Sequence, residues 1–232
     1  MAMNDHILQS SKNEYQRLHS ETLRMGNMAL AQLEAALDVV ERRDQNAAER
    51  LILNDEAIDQ LEAIVSHDVM QLALRGPMAR DLREILATIR IAADIERIGD
   101  YAANLAKRSM ALNFATPVPH VSSLRSLGKL VVLQFRDALD SYRDNDIEKA
   151  IAVRDNDKNI DAAYTTLFRD LLTYMMEDPR NITPCTHLQF MAKNLERVGD
   201  HATNIAENVW FLEKSEEALP PREKADESNT TK

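Results

Sequence analysis

A single cysteine, Cys185, is all the thiol in the 232-residue chain. No internal disulfide can form, a reducing compartment is compatible, and a lone Cys reads as a small packing residue. Glycine is scarce at five residues, proline at seven, and aromatic residues make up only 5%. Few turn-formers beside abundant Ala, Leu, Ile, Glu, Asp and Arg give a helix-forming composition. Long apolar runs are also missing. The longest strongly apolar stretch is LVVL at 130–133, far too short to span a bilayer, and the opening MAMNDHILQSSKNEY has no apolar core of signal-peptide length. Basic residues are in deficit, 28 against 38 acidic ones, for a formal charge of −10. A nucleic-acid binder usually presents a basic face. The expectation is a cytoplasmic protein with no nucleic-acid partner.

What remains is apolar residues at helical spacing. Leu23, Leu30, Leu33, Leu37 and Val40 form one seam, and Leu51, Ile58, Leu61, Val65 and Leu72 form a second. Asn46 with Glu49 resembles a capping pair for the second helix, and Gly76 before Pro77 marks its end. A third helix runs on to the proline-bearing NFATPVPH. The pattern then recurs: a fourth helix over about 123–143, a turn at YRDNDIEKA, a fifth helix to MMEDPRN, and a sixth opened by Thr183 before Pro184. The fold class expected is all-α, two tandem antiparallel three-helix bundles over 5–113 and 121–215, joined by a linker at 114–120. A polar tail over 216–232 is expected to be disordered.

The two bundles share text. DIERIGDYAANLA at 94–106 and NLERVGDHATNIA at 194–206 agree at Glu96/Glu196, Arg97/Arg197, Gly99/Gly199, Asp100/Asp200 and Asn104/Asn204. NDEAID at 54–59 matches NDKNID at 156–161, which puts Asp55 with Asp157 and Asp59 with Asp161. Such self-similarity is the mark of an internal repeat. The offset changes from 102 to 100 in the connection before the third helix of each unit, where length changes are best tolerated.

At roughly 100° per residue, with Ile91 as the origin, Ile95, Ile98, Ala102 and Leu105 fall on the core face. Glu96, Asp100 and Asn104 fall on the opposite side of the wheel and so point outward; Glu196, Asp200 and Asn204 repeat the arrangement. An outward acidic row is ordinarily solvated surface. Here, however, like charges four residues apart are placed twice, at a cost of a few tenths of a kcal/mol each. Gly99 and Gly199 also stand inside helices, where glycine costs about 1 kcal/mol relative to Ala, as a close approach by a neighbouring group would explain. If Asp55, Asp59, Asp157 and Asp161 converge with these rows, the carboxylates suit a hard cation such as Mg²⁺, Mn²⁺, Ca²⁺ or iron. Arg83, Arg90 and Arg97 make a basic stripe that an anion could use. The favoured reading is a helical ion-pair network through Asp94, since only Arg97 has a counterpart, Arg197. His201 reads as exposed rather than as an accessory ligand. No His has Glu three residues before it, as a ferritin-like di-metal site needs, and no Gly-rich phosphate loop or nucleophile elbow occurs. Enzyme is the weaker class.

The duplicated Glu-Arg-(Ile/Val)-Gly-Asp phrase, each copy preceded by Asp-x-x-x-Asp, closely resembles the PhoU family of phosphate-uptake regulators over roughly residues 5–215. The resemblance implies multinuclear iron or zinc clusters on the outer faces of the bundles. Glu96, Asp100, Glu196 and Asp200 would be the ligands, Asp55, Asp59, Asp157 and Asp161 their partners, and Asn104 and Asn204 weaker candidates. Mg²⁺ or Mn²⁺ remains plausible, and no organic cofactor is implied. It also implies an adaptor that links the ATPase of a phosphate ABC transporter to a sensor histidine kinase, forms a homodimer, and touches the membrane only through those partners. The alternative is a metal-storage or metal-dependent enzymatic helical protein.

Overall fold

The computed structural model describes residues 2–76, 79–113, 119–214 and Leu219, with side chains from Asn13 in the first helix and from Asp81 in the third. Six long helices follow in order: α1 Ala2–Arg42, α2 Gln45–Ala73, α3 Ala79–Leu112, α4 Val121–Asp144, α5 Ile147–Glu177 and α6 Ile182–Lys214. The proposed 216–232 tail, apart from Leu219, and 114–118 of the linker lie outside the described residues.

The helices begin and end for identifiable reasons. Arg43 and Asn145 both take positive φ (55° and 51°), and the residue after each, Asp44 or Asp146, caps the next helix by accepting from the amide of Ala47 or Lys149. The expected Asn46–Glu49 cap therefore gives way to Asp44, whose side chain sits nearer the orphan amides. Gly76 has φ 73°, the left-handed geometry anticipated after α2. Thr183 does not open α6. A 3₁₀ turn at Pro179–Asn181 comes first, held by the Asp178 carboxylate accepting from the Arg180 amide, so the chain is already helical at Thr183.

Each unit is a three-helix bundle, with α1, α2 and α3 in mutual contact and α4, α5 and α6 likewise. The bundles meet through α1 against α4 and α3 against α6. Four helices thus form a central layer, with α2 and α5 on opposite flanks. Both expected seams are buried, Ile91, Ile95, Ile98, Ala102 and Leu105 in one and Met191, Leu195, Val198, Ala202 and Ile205 in the other. Burying one large aliphatic side chain is worth about 2 kcal/mol.

The contacts between bundles obey a pseudo-twofold. Gly26 of α1 receives Leu139 of α4, and Gly128 of α4 receives Leu37 of α1. These are the same two positions in each repeat, exchanged, and the helices cross antiparallel. Arg136 and Glu34, another equivalent pair, bond across the crossing at 2.5 Å. Antiparallel pairing also governs α3 and α6, where Arg90 lies over Phe211, Arg108 over Phe190 and Arg197 over Tyr101.

Candidate functional site

Two acidic grooves lie between α2 and α3 and between α5 and α6, and each is built around a glycine. A Cβ on Gly99 would stand 3.1 Å from Ile58 Cδ1 and 3.3 Å from Asp55 Oδ1; on Gly199 it would stand 3.2 Å from Ile160 Cδ1 and 3.4 Å from Asp157 Oδ1. Glycine therefore lets the outer helix bring its aspartate onto the acidic helix. A glutamine from α1 or α4 fastens the junction. Gln32 Nε2 donates to Asp55 Oδ1 at 2.7 Å and to the Gly99 carbonyl at 3.2 Å. Gln134 Nε2 donates to Asp157 Oδ1 at 3.1 Å and to the Gly199 carbonyl at 3.2 Å. Sequence reasoning missed these glutamines, although Gln32 and Gln134 stand at the same 102-residue offset as the aspartates.

The first groove is electrostatically unhappy. Burial raises the Asp55 carboxyl above its ordinary value; the Gln32 hydrogen bond opposes this, and the charges of Asp100 and Asp59 add to it. Burial and then Asp100, Glu56 and Glu62 raise Asp59. Burial and Asp100 raise Glu96, while Arg97 pulls it down and Asp59 and Glu62 push it up. Four carboxylates therefore feel one another, which is the charge distribution a hard cation relieves.

The second groove departs from expectation. Glu196 is 5% exposed, Asp157 1% and Asp161 3%, so these three carboxylates are not outer solvated surface. Lys193 Nζ bonds Glu196 Oε1 at 2.8 Å, and the largely buried Arg154 reaches Glu207 Oε1 at 3.3 Å. The first unit has Ala93 and Ile52 at those two positions. Glu96 and Asp100 are half-exposed, with side-chain accessibilities of 25% and 39%, and Asp59 and Asn204 are exposed.

Arg97 pairs with Glu96 at 3.4 Å and Asp100 at 3.1 Å rather than with Asp94. Arg90 is taken up by the Phe211 ring, so the expected network through Asp94 is replaced. Asp94 instead crosses to the other bundle, where its Oδ1 meets His201 Nδ1 at 2.7 Å and accepts from Asn204 Nδ2 at 3.2 Å. His201 is therefore a part-buried inter-bundle contact and not an exposed residue. Among the described residues, no three His, Cys, Asp or Glu side chains are grouped so as to hold an ion as they stand. The donor chemistry of the first groove fits a hard cation, but the groove is lined rather than closed.

A PhoU domain model matches the chain twice, over residues 22–109 and 124–209. The chain belongs to the PhoU family. It is similar to a phosphate-specific transport system accessory protein PhoU homolog of Xylella fastidiosa (strain 9a5c), 66% identical over 97% of this chain and 96% of that one. A PhoU homolog of Caulobacter vibrioides (strain NA1000 / CB15N) is 42% identical over 97% and 98%. The crystal structure of PhoU from Pseudomonas aeruginosa superposes with a TM-score of 0.85 at 33% identity, covering 88% of this chain and 99% of that one. The phosphate transport system regulatory protein PhoU from Streptococcus pneumoniae gives 0.83 at 28% identity, over 89% and 98%. The two PhoU matches enclose both glycine-centred grooves. These proteins are named as accessory or regulatory proteins of phosphate transport, and the sequence carries no nucleophile elbow or Gly-rich phosphate loop. Among the described residues no helix is long and apolar enough to cross a membrane.

Proposed function

We propose that the protein restrains phosphate uptake and the phosphate-starvation response, as a cytoplasmic adaptor between the ATPase of a phosphate ABC transporter and a sensor histidine kinase. The observation that carries this reading is the pair of PhoU domain matches together with relatives named as accessory proteins of phosphate transport over nearly their whole length. A central four-helix layer with two flanking helices offers long exposed helical faces, which suits a protein that works by contact. The working form is a homodimer, and membrane contact comes through its partners. The first groove, Asp55, Asp59, Glu96 and Asp100, would hold a hard cation or a multinuclear iron or zinc cluster. The second, Asp157, Asp161, Glu196 and Asp200, would do so only after Lys193 releases Glu196. Metal bound there would supply positive charge that joins the outer helix to the acidic helix.

Deleting the gene tests the reading. Phosphate-starvation reporters should switch on in phosphate-rich medium, and the tag-free protein should retain the transporter ATPase and the kinase in a pull-down. A deletion strain that still represses normally in high phosphate, with no paralogue compensating, would remove the adaptor role.

A further inference from the structure

Away from both acidic grooves, a cavity of about 460 Å³ opens where the central layer ends, between α1, α3, α4 and α6. That volume lies within the range of small-molecule sites. Its lining is mixed: the rings of His19 and Tyr142 lie 4.4 Å apart between centroids, tilted by 46°, Tyr15 stands beside them, and Gln16, Ser20, Asn145 and Leu212 add polar and aliphatic surface. His19 Nε2 donates to the Tyr142 carbonyl at 3.1 Å, which fixes the ring against the floor. The carboxylates of Glu84 and Glu213 line the opening, one from each bundle. The Tyr15 phenol is pushed up to about 12 by burial and by the charges of Asp81, Glu84 and Glu14; Arg75 opposes this, but it is held by Glu14 at 2.5 Å.

The fold does not require these residues. In the register that pairs Gln32 with Gln134, Val121 stands for His19 and Val40 for Tyr142. In the register that pairs Glu96 with Glu196, Pro184 stands for Glu84. At these three positions the duplicated end carries apolar side chains, and Asn113 stands for Glu213, so neither acid is repeated there.

We propose that this cavity binds an aliphatic polyamine, its methylenes against the Tyr15 and His19 rings and its ammonium groups on Glu84 and Glu213. Aromatic faces and carboxylates are the pairing that recognises organic ammonium ions, and the same carboxylates turn away phosphate. Because the two acids come from different bundles, the ligand would tie the bundles together at this end.

Calorimetric titration of the full chain with spermidine at ~150 mM NaCl, where surface charges are largely screened, tests the proposal. One saturable site per chain is expected. Glu84→Gln with Glu213→Gln should weaken it at least about tenfold, and the exposed Glu213→Gln alone should weaken it measurably with unchanged far-UV circular dichroism. Glu49→Gln with Glu56→Gln removes equal charge from exposed positions on α2 and should bind as the parent does. Absence of saturable binding, or equal losses in both double variants, overturns the proposal, the latter because the chain's net negative charge would then be the whole attraction. Saturable binding of inorganic phosphate that is lost in Tyr15→Phe would overturn it as well.

Discussion

At the residue scale, the same carboxylate behaves differently in the two repeats because its neighbours differ. Glu196 has Lys193 against it, whereas Glu96 has Arg97 on its exposed side and Asp100 and Asp59 pushing from the groove. The folded chain holds protons on Asp55, Asp59 and Glu96 more tightly than ordinary carboxyls do, so folding takes up protons in the carboxylate range. Stability attached to these groups is fully present below the unfolded value of about 4 and is lost as pH rises through their higher folded values. Asp59→Asn, at an exposed position, should therefore raise the metal-free protein's unfolding free energy at neutral pH by a few tenths of a kcal/mol, the cost of a like-charge pair four apart. Melts from pH 7 down should show that advantage shrinking and vanishing near pH 4; an advantage that grows on acidification would contradict the raised values. Glu96→Gln with Asp100→Asn should abolish metal bound by the first groove while leaving the helix content intact. Elemental analysis of tag-free protein with unchanged stoichiometry would remove those two ligands.

At the scale of the element, the sequence made the seams legible and hid the second buried face. Ile91, Ile95, Ile98 and Leu105 stand out because large apolar residues recur at 3.6-residue spacing. Ala92, Gly99, Ala103 and Ala106 lie together to one side of that seam on the same wheel, and all four are buried, yet alanine and glycine carry little hydropathic signal. One core face was read where α3 and α6 each have several, since each touches two helices of its own bundle and one of the other. Glu96 and Glu196 border that hidden face, which is why the outward wheel position did not guarantee exposure. The glycines at 99 and 199 were the available clue, and they do mark a close approach. Gly26 and Gly128 carry the same information for the crossing of α1 and α4. Gly128→Val should overpack against Leu37 and destabilise by about 1–3 kcal/mol, outweighing the small gain in helix propensity. Gly26→Val should cost a similar amount against Leu139. Denaturant unfolding with losses below about 0.5 kcal/mol at both positions, the level of ordinary surface substitutions, would show that the crossing is loosely packed.

The whole molecule behaves as a dimer of repeats fused into one chain. Gly26 and Gly128 are the receiving positions and Leu37 and Leu139 the inserted ones, so each repeat carries both halves of the contact. A single repeat therefore presents a self-complementary face of the kind that closes twofold dimers. A fragment of residues 119–214 should fold as helices and dimerise, with Gly128 of each copy receiving Leu139 of the other. Its association should be weaker than the intramolecular one, which has the advantage of high effective concentration, and two features lower it further. Arg136 would meet a second Arg136 where the full chain has Glu34, and His201 would meet Asn194 where the full chain has Asp94. Sedimentation equilibrium should give a dimer whose population falls on dilution, and Gly128→Val in the fragment should shift it to monomer without loss of helix. Replacing Arg136 with Glu on half of the copies should restore the complementary pair, so that mixed fragments associate more tightly than either alone. A fragment that is folded and monomeric at every concentration would mean that the twofold contacts are a consequence of the covalent linkage and not a cause of the architecture.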